Sequence, residues 1–257
     1  MTPDPTGPSA SFADVLEGLR HRHAVLRRIV RSLSTGDWDT PTPAAGWAVR
    51  DQLAHLADTE EVAFDTLTGG PRAFAAELPA FPSADAFTAA GCQRGAGMST
   101  AELVGWWERG ATRTRERLAE LAATERVAWG FGMDARTFGL ARTMEHWAHT
   151  LDITDAVGAD AELVREAPLV AELGYRTIPW ALLRAHATHP RRSLRVELHS
   201  NGGTDSWGPP DATDVVSAHL LQWCCLVTRR TPRPGLPVPR AWGPMAHDVV
   251  RHARCYL

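Results

Sequence analysis

The chain has 257 residues, of which 44% are hydrophobic and 22% are charged, and its formal net charge is −3. This composition is typical of a globular protein of one large or two modest domains, and it gives no electrostatic reason to expect a nucleic acid or an anionic membrane as partner. No apolar run approaches the roughly 20 residues that span a bilayer, and the first residues lack the pattern of a signal peptide. The sequence therefore predicts a cytoplasmic protein.

The first half of the chain is dominated by apolar residues at helical spacing. Ser11 and Ser99 are suitable N-cap residues, and Gly158 is a suitable stop for the last of the helices. The segment between Gly69 and Gly97 is rich in proline and glycine and is predicted to be a long crossover, with one short helix around residues 83–90. Four helices joined in this way form a bundle, which we assign to residues 1–160. The predicted helices cover residues 11–33, 47–67, 99–121 and 137–158.

The second half has a mixed pattern and is predicted to form a small α+β domain, residues 161–257. Residues 193–199 alternate apolar and polar side chains, which indicates a half-exposed strand, and Asn201-Gly202-Gly203 indicates a hairpin turn. The return strand passes through residues 206–208. A helix is predicted from Asp211 or Thr213 to Cys224, and a closing helix over residues 245–257.

The four cysteines are Cys92, Cys224, Cys225 and Cys255, and they form no C-x-x-C motif. Paired metal-binding or redox cysteines are therefore not indicated. The adjacent pair, Cys224 and Cys225, is typical of small buried apolar residues.

A carboxylate and an imidazole with metal-binding spacing occur in the fourth predicted helix. Glu145 and His149 are four residues apart, so their Cβ atoms lie roughly 5–6 Å apart on one helical face and both side chains can reach one divalent ion. The second helix supplies a third candidate ligand, His55. His146 is rotated by about 100° from Glu145 and is expected on another face. Facing helices of a bundle are a common place for such sites.

Two histidines and one glutamate are a ligand set of catalytic zinc, in which one position stays open for water, a thiol or a carbonyl oxygen. Two reaction types are compatible with this set. The ion can activate a thiol for addition to an electrophilic carbon, or it can polarise a carbonyl and support an isomerisation, hydration or cyclisation without a thiol.

Three further residues are candidates for catalysis because they lie near the predicted ligands. Asp152 follows His149 by one turn and could orient a ligand histidine or bind a polar group of the substrate. Asp58 and Arg142 lie one turn from His55 and Glu145, respectively, on faces that could line the same cavity.

The segment from Trp38 to His55, which contains Gly46-Trp47 and Asp51-Gln52-Leu53-Ala54-His55, occurs together with Glu145-x-x-x-His149-x-x-Asp152. In this combination the chain resembles the mycothiol-dependent maleylpyruvate isomerase family of the DinB-like superfamily. The resemblance covers most of the chain. It implies a mainly α fold, in which a DinB-like four-helix bundle with a long crossover precedes a small, distantly sterol-carrier-like α+β domain.

The resemblance also implies the metal ligands His55, Glu145 and His149, with zinc as the most frequent metal. It implies mycothiol as a possible cosubstrate and a small electrophilic molecule as substrate, either for thiol transfer or for thiol-assisted isomerisation. Two alternatives stay open. One is a thiol-independent isomerase, hydrolase or cyclase that tailors a secondary metabolite, and the other is a non-catalytic protein that binds a small molecule. The expected assembly is a monomer or a homodimer.

Overall fold

The computed structural model of the protein describes residues 7–130 and 132–256. These residues divide into two compact units, a helical unit, Phe12–Glu162, and a second unit formed by residues 7–11 and 163–256. The division falls two residues after the predicted domain boundary, which stays a prediction. Within the described ranges, no helix is long and apolar enough to cross a membrane.

The helical unit contains the four predicted long helices and, in the crossover between the second and third of them, two short α-helices. The predicted short helix around residues 83–90 is confirmed and is longer than expected. A two-stranded hairpin precedes the last long helix. The helices are α1 (Phe12–Ser32), α2 (Val49–Thr68), α3 (Phe74–Glu77), α4 (Ala84–Gly95), α5 (Thr100–Ala119) and α6 (Ala135–Val157), and the strands are β1 (Arg126–Val127) and β2 (Met133–Asp134).

Local side-chain chemistry sets the ends of the two helices α5 and α6. The Ser99 hydroxyl accepts a hydrogen bond from the amide of Glu102, and the Glu102 carboxylate accepts one from the amide of Ser99. This reciprocal cap satisfies amides that have no partner within the helix. Asp134 caps α6 through the amide of Thr137, so α6 begins two residues before the predicted start. Gly158, with a φ of 69°, ends it as predicted.

The core of the helical unit is formed by apolar side chains from all four long helices. Leu26, Leu53, Leu103, Trp107 and Ile153 belong to one continuous cluster and are fully buried. Because α2 packs against α5 and α6, its central residues are enclosed on two sides. Polar side chains on this part of α2 are therefore held in a largely water-free environment.

The second unit contains a four-stranded sheet with the strand order β4-β3-β5-β6. Strands β3 and β5 are parallel, and the other neighbouring pairs are antiparallel. The predicted hairpin turn at Asn201–Gly203 is confirmed. The strands are β3 (Leu194–Ser200), β4 (Gly203–Trp207), β5 (Asp214–His219) and β6 (Arg240–Trp242), and the helices are α7 (Ala167–Arg176), α8 (Ile178–Arg184), α9 (Leu220–Val227) and α10 (Pro244–His252).

The predicted helix from Asp211 or Thr213 to Cys224 is wrong in its first part. Residues 214–219 form β5, in which buried and half-buried side chains alternate, and α9 begins at Leu220. The valines Val215 and Val216 favour a strand because they are β-branched, and pairing with β3 outweighs the helical spacing of the apolar residues that follow. The predicted closing helix is α10, which ends at His252, and Leu257 lies outside the described residues.

The mainly α architecture, with a bundle before a small α+β unit, is therefore as the sequence predicted. The four long helices all precede residue 158, and the four-stranded sheet is formed entirely by residues after 193. This separation along the chain agrees with a bundle followed by an α+β unit.

Asp214 fastens the start of α10 to the sheet. Its carboxylate is fully buried and accepts hydrogen bonds from the amides of Met245 and Ala246, from the Thr213 hydroxyl and from the Arg192 guanidinium. Burial alone would raise the pKa of this carboxyl, but the hydrogen bonds from its donors lower it below the ordinary value. We expect the substitution Asp214→Asn to cost about 2 kcal/mol of unfolding free energy, because hydrogen bonds to a charged group contribute roughly 1.5–3 kcal/mol.

Denaturation of Asp214→Asn by urea, followed by tryptophan fluorescence, checks this expectation, with the substitution of the exposed Asp211 by asparagine as matched control. Because the folded pKa is depressed, the contribution of Asp214 is present above the unfolded pKa and is lost as the pH falls through the folded value. Equal stability of the two variants at neutral pH would contradict the assigned role.

Candidate metal centre

The three predicted ligands converge between α2 and α6. His55 lies in the middle of α2, and Glu145 and His149 lie one turn apart on α6. The Nε2 atoms of His55 and His149 are 3.5 Å and 3.4 Å, respectively, from the same carboxylate oxygen, Glu145 Oε2. One ligand atom from each of the three residues lies within 4.8 Å of the other two.

This arrangement fits a divalent metal ion. Zinc is bound by histidine nitrogens and carboxylate oxygens at about 2.0–2.2 Å, so ligand atoms at tetrahedral angles are separated by roughly 3.3–3.5 Å. The distances from Glu145 Oε2 to the two imidazole nitrogens agree with this spacing. Burial alone would raise the pKa of Glu145, but the imidazoles of His149 and His55 hold it well below its ordinary value. The carboxylate is therefore ionised at neutral pH and can bind a cation.

Trp47 forms one side of this centre. Its ring is stacked against that of His149, with an interplanar angle of 15° and a centroid distance of 6.0 Å, and it lies 5.3 Å from the ring of His55. The indole is half-buried, so one part of it packs against the histidines and another part is accessible. An aromatic face beside a candidate metal centre is suited to an unsaturated or apolar part of a small molecule.

A second group of ligand-type side chains, His23, Glu60 and His146, is fully buried in the same unit. Part of this group is engaged in hydrogen bonds, whereas His23 Nε2 and Glu60 Oε2 have no hydrogen-bond partner within residues 7–130 and 132–256. Trp107 Nε1 donates to His146 Nε2 at 3.1 Å, and the Arg142 guanidinium donates to Glu60 Oε1 at 2.7 Å. Burial lowers the pKa of His146 to about 4, so this histidine is neutral. We interpret this group as a structural network, and His146 lies outside the metal cluster, as its 100° rotation predicts.

The comparisons with known proteins identify the family of the chain. The model of the mycothiol maleylpyruvate isomerase N-terminal domain matches residues 19–154, more than half of the chain, and this range contains all three metal-ligand candidates. The chain belongs to this family.

Two further comparisons describe the relatives of this family member. Uncharacterized proteins from two strains of Mycobacterium tuberculosis are each 35% identical over 216 residues, which is 82% of this chain and 83% of theirs. The crystal structure of the mycothiol-dependent maleylpyruvate isomerase is 18% identical and has a TM-score of 0.59, and the alignment covers 89% of this chain and 97% of that one. A mutant of that isomerase aligns with a TM-score of 0.58. The structural likeness shows that the fold is shared.

Gln52 is a residue of this family member that the sequence analysis missed. Its side-chain oxygen Oε1 is hydrogen-bonded to Nδ1 of His149, and the side chain is fully buried. The sequence does contain one indication of this role: Gln52 lies three residues before His55, and this spacing places both side chains on one face of α2. Asp152, predicted to orient a ligand histidine, has Oδ2 at 3.8 Å from the same Nδ1, beyond hydrogen-bond distance. Its catalytic role stays a prediction.

The charged groups of the other two predicted catalytic residues are committed to ion pairs. Asp58 Oδ1 lies 3.0 Å from Arg72 Nη2 and 2.7 Å from Arg94 Nη1, so its carboxylate is held by α4 and the segment before α3. Arg142 is paired with the buried Glu60. The structure does not bring these two groups into the cluster of His55, Glu145 and His149, and their catalytic roles also stay predictions.

Proposed function

We propose that the protein is a metal-dependent isomerase, in which His55, Glu145 and His149 hold one zinc ion and mycothiol is the cosubstrate. The substrate class is a small electrophile with a carbon–carbon double bond conjugated to a carbonyl group. The observation that supports this proposal most strongly is the convergence of the three ligand atoms within 4.8 Å. Membership of the mycothiol maleylpyruvate isomerase family supports the reaction type.

When bound, a zinc ion with three protein ligands has an open position, where it lowers the pKa of a thiol and acts as a Lewis acid. The residues of the chain create the conditions for this chemistry. Glu145 supplies one negative charge, and two uncharged imidazole ligands supply none. A divalent ion held by these three residues would therefore keep a net charge of about +1, which attracts anionic groups. Trp47 offers an aromatic face on which the unsaturated part of the substrate is oriented.

The thiol in this proposal comes from a cosubstrate because the cysteine of the helical unit is unsuited to the task. Burial raises the pKa of the Cys92 thiol to about 12, and its sulfur lies 3.6 Å from the carbonyl oxygen of Asp51. A thiol of this kind is protonated and unreactive at neutral pH. Addition of an external thiol to the double bond, rotation and elimination of the same thiol change the geometry of the substrate and return the thiol, so no oxidant or reductant is needed.

The experiment that tests the proposal combines metal analysis with an isomerase assay. Purified protein is reconstituted with zinc, its metal content is measured by elemental mass spectrometry, and isomerisation of maleylpyruvate is followed with and without mycothiol. We expect about one zinc per chain and turnover that requires both zinc and the thiol. Absence of bound metal after reconstitution would overturn the metal site. Equal turnover without mycothiol would overturn the thiol-dependent reaction and leave a thiol-independent isomerase.

A further inference from the structure

We propose that Gln52 is a positioning residue for the metal centre. A chain of hydrogen bonds from the Trp47 carbonyl through Thr42 and Gln52 fixes His149 in the tautomer with the proton on Nδ1. The electron pair on Nε2 then faces Glu145, where a metal ion is to be bound. This inference rests on the metal site of the proposed function, and it assigns a role to two residues, Thr42 and Gln52, that are not ligands.

The direction of the first hydrogen bond follows from its acceptor. The Trp47 backbone oxygen has no proton to give, and Thr42 Oγ1 lies 2.9 Å from it, so the Thr42 hydroxyl is the donor. The single hydroxyl proton of Thr42 is engaged in this hydrogen bond. Thr42 Oγ1 can therefore only accept a hydrogen bond from the side-chain amide of Gln52, which lies 2.8 Å away.

The orientation of the Gln52 amide follows from this step. Its Nε2 donates to Thr42, and its Oε1 consequently points to Nδ1 of His149. A flipped amide would turn Oε1 of the fully buried Gln52 toward Thr42 Oγ1, and the Thr42 hydroxyl would then have to leave the Trp47 carbonyl to donate to it. Because Oε1 is an acceptor only, His149 Nδ1 carries the proton. Nε2 is left with its electron pair, 3.4 Å from Glu145 Oε2.

The other candidate ligand histidine provides a contrast within the same centre. His55 Nδ1 is buried and has no hydrogen-bond partner among residues 7–130 and 132–256. Gln52 therefore fixes the tautomer of His149, whereas no hydrogen bond from the described residues to Nδ1 fixes the tautomer of His55. Hydrogen-bond partners behind metal-bound histidines typically change metal affinity by 10–100-fold, so the two histidines are expected to contribute differently to binding.

The test begins with the tautomer of His149 in the metal-free protein. Histidine labelled with nitrogen-15 is observed by NMR at a pH well above the ordinary histidine pKa of about 6.5, and the His149 signals are identified by their loss in His149→Ala. We expect the Nδ1–H form in the wild type. We expect a substantial Nε2–H population in Gln52→Leu, and a smaller one in Thr42→Val, which frees the amide to flip.

Zinc affinity is then measured by competition with a chromophoric chelator. Gln52→Leu is expected to lose 10–100-fold in affinity, whereas the control Gln93→Leu, at an exposed glutamine of α4, is expected to bind like the wild type. The circular dichroism of each variant shows whether it is folded, and the Thr42→Val variant keeps the test valid if Gln52→Leu does not fold.

Two results would overturn the proposal. One is an Nε2–H tautomer of His149 in the wild type. The other is an unchanged tautomer in Gln52→Leu together with a loss of the Nδ1–H form in Asp152→Asn, which would transfer the orienting role to Asp152. The outcome is separable from that of the proposed function. A wild-type protein that binds no zinc contradicts the function, while the tautomer measurement on metal-free protein still decides the hydrogen-bond chain.

Discussion

The substitution Glu145→Gln is expected to lower zinc affinity about 100-fold while the helical unit stays folded. Zinc sites with four protein ligands have apparent binding free energies of about 10–16 kcal/mol, so one ligand accounts for roughly 3 kcal/mol. The substitution keeps the size of the side chain and removes its charge. Both histidine Nε2 atoms lie within 3.5 Å of one Glu145 oxygen. A neutral amide in place of this carboxylate therefore weakens the binding of a metal ion between the three side chains.

Competition with a chromophoric chelator measures the affinity, and circular dichroism checks that the helices are retained. The matched control is Glu116→Gln, the same substitution at an exposed position of α5. Isomerase activity at zinc concentrations that saturate the wild type is expected to fall in parallel with zinc occupancy. Wild-type zinc affinity in Glu145→Gln would refute the assignment of Glu145 as a ligand, whatever the activity of the variant.

The sequence predicted the candidate ligands because two of them depend on local geometry. Glu145 and His149 share a helical face at any position of α6, so their approach to each other follows from their spacing alone. The approach of His55 depends on how α2 packs against α6, which the resemblance to a family implied and the structure shows. Gln52 could not be predicted in the same way, because its role depends on the hydroxyl of Thr42 in a preceding loop.

The same limit explains the partners of Asp58 and Arg142. A spacing of one turn from a ligand fixes the side of the helix, but it does not say which residue of a neighbouring element meets the charged group. Asp58 meets Arg94 of α4, within the crossover whose course the sequence left open. Arg142 meets Glu60, which is fully buried and paired across the interface of α2 and α6.

Helices with sustained periodicity were predicted nearly to the residue, and the main error in the fold is β5. Apolar residues from Val215 onward fit a helical spacing and a strand almost equally well over so short a segment. The decision between them is made by long-range pairing, since β5 lies next to β3 in the sheet although more than a dozen residues separate the two strands. Such pairing is absent from any local pattern.

Removal of either partner of the ion pair between Glu60 and Arg142 is expected to cost about 3–5 kcal/mol of unfolding free energy. The two side chains are 0% and 1% exposed, and their shortest contact is 2.7 Å, so the loss of one leaves the other charged and buried. Burial alone would raise the pKa of Glu60, but the positive charge of Arg142 lowers it, so the carboxylate is ionised in the folded protein. Urea denaturation of Glu60→Met and Arg142→Met measures the two costs.

The double variant with methionine at both positions separates a structural from a catalytic role of Arg142. It leaves no unpaired charge, and it is expected to recover a large part of the stability that each single variant loses, because apolar replacement of a whole buried pair is often nearly neutral. If Arg142 acts through the fold alone, the double variant keeps zinc affinity and isomerase turnover near the wild-type values. A folded double variant that binds zinc normally but has lost turnover would instead support the catalytic role predicted for Arg142. The variant removes the guanidinium of Arg142, which lies on α6, the helix that also carries Glu145 and His149.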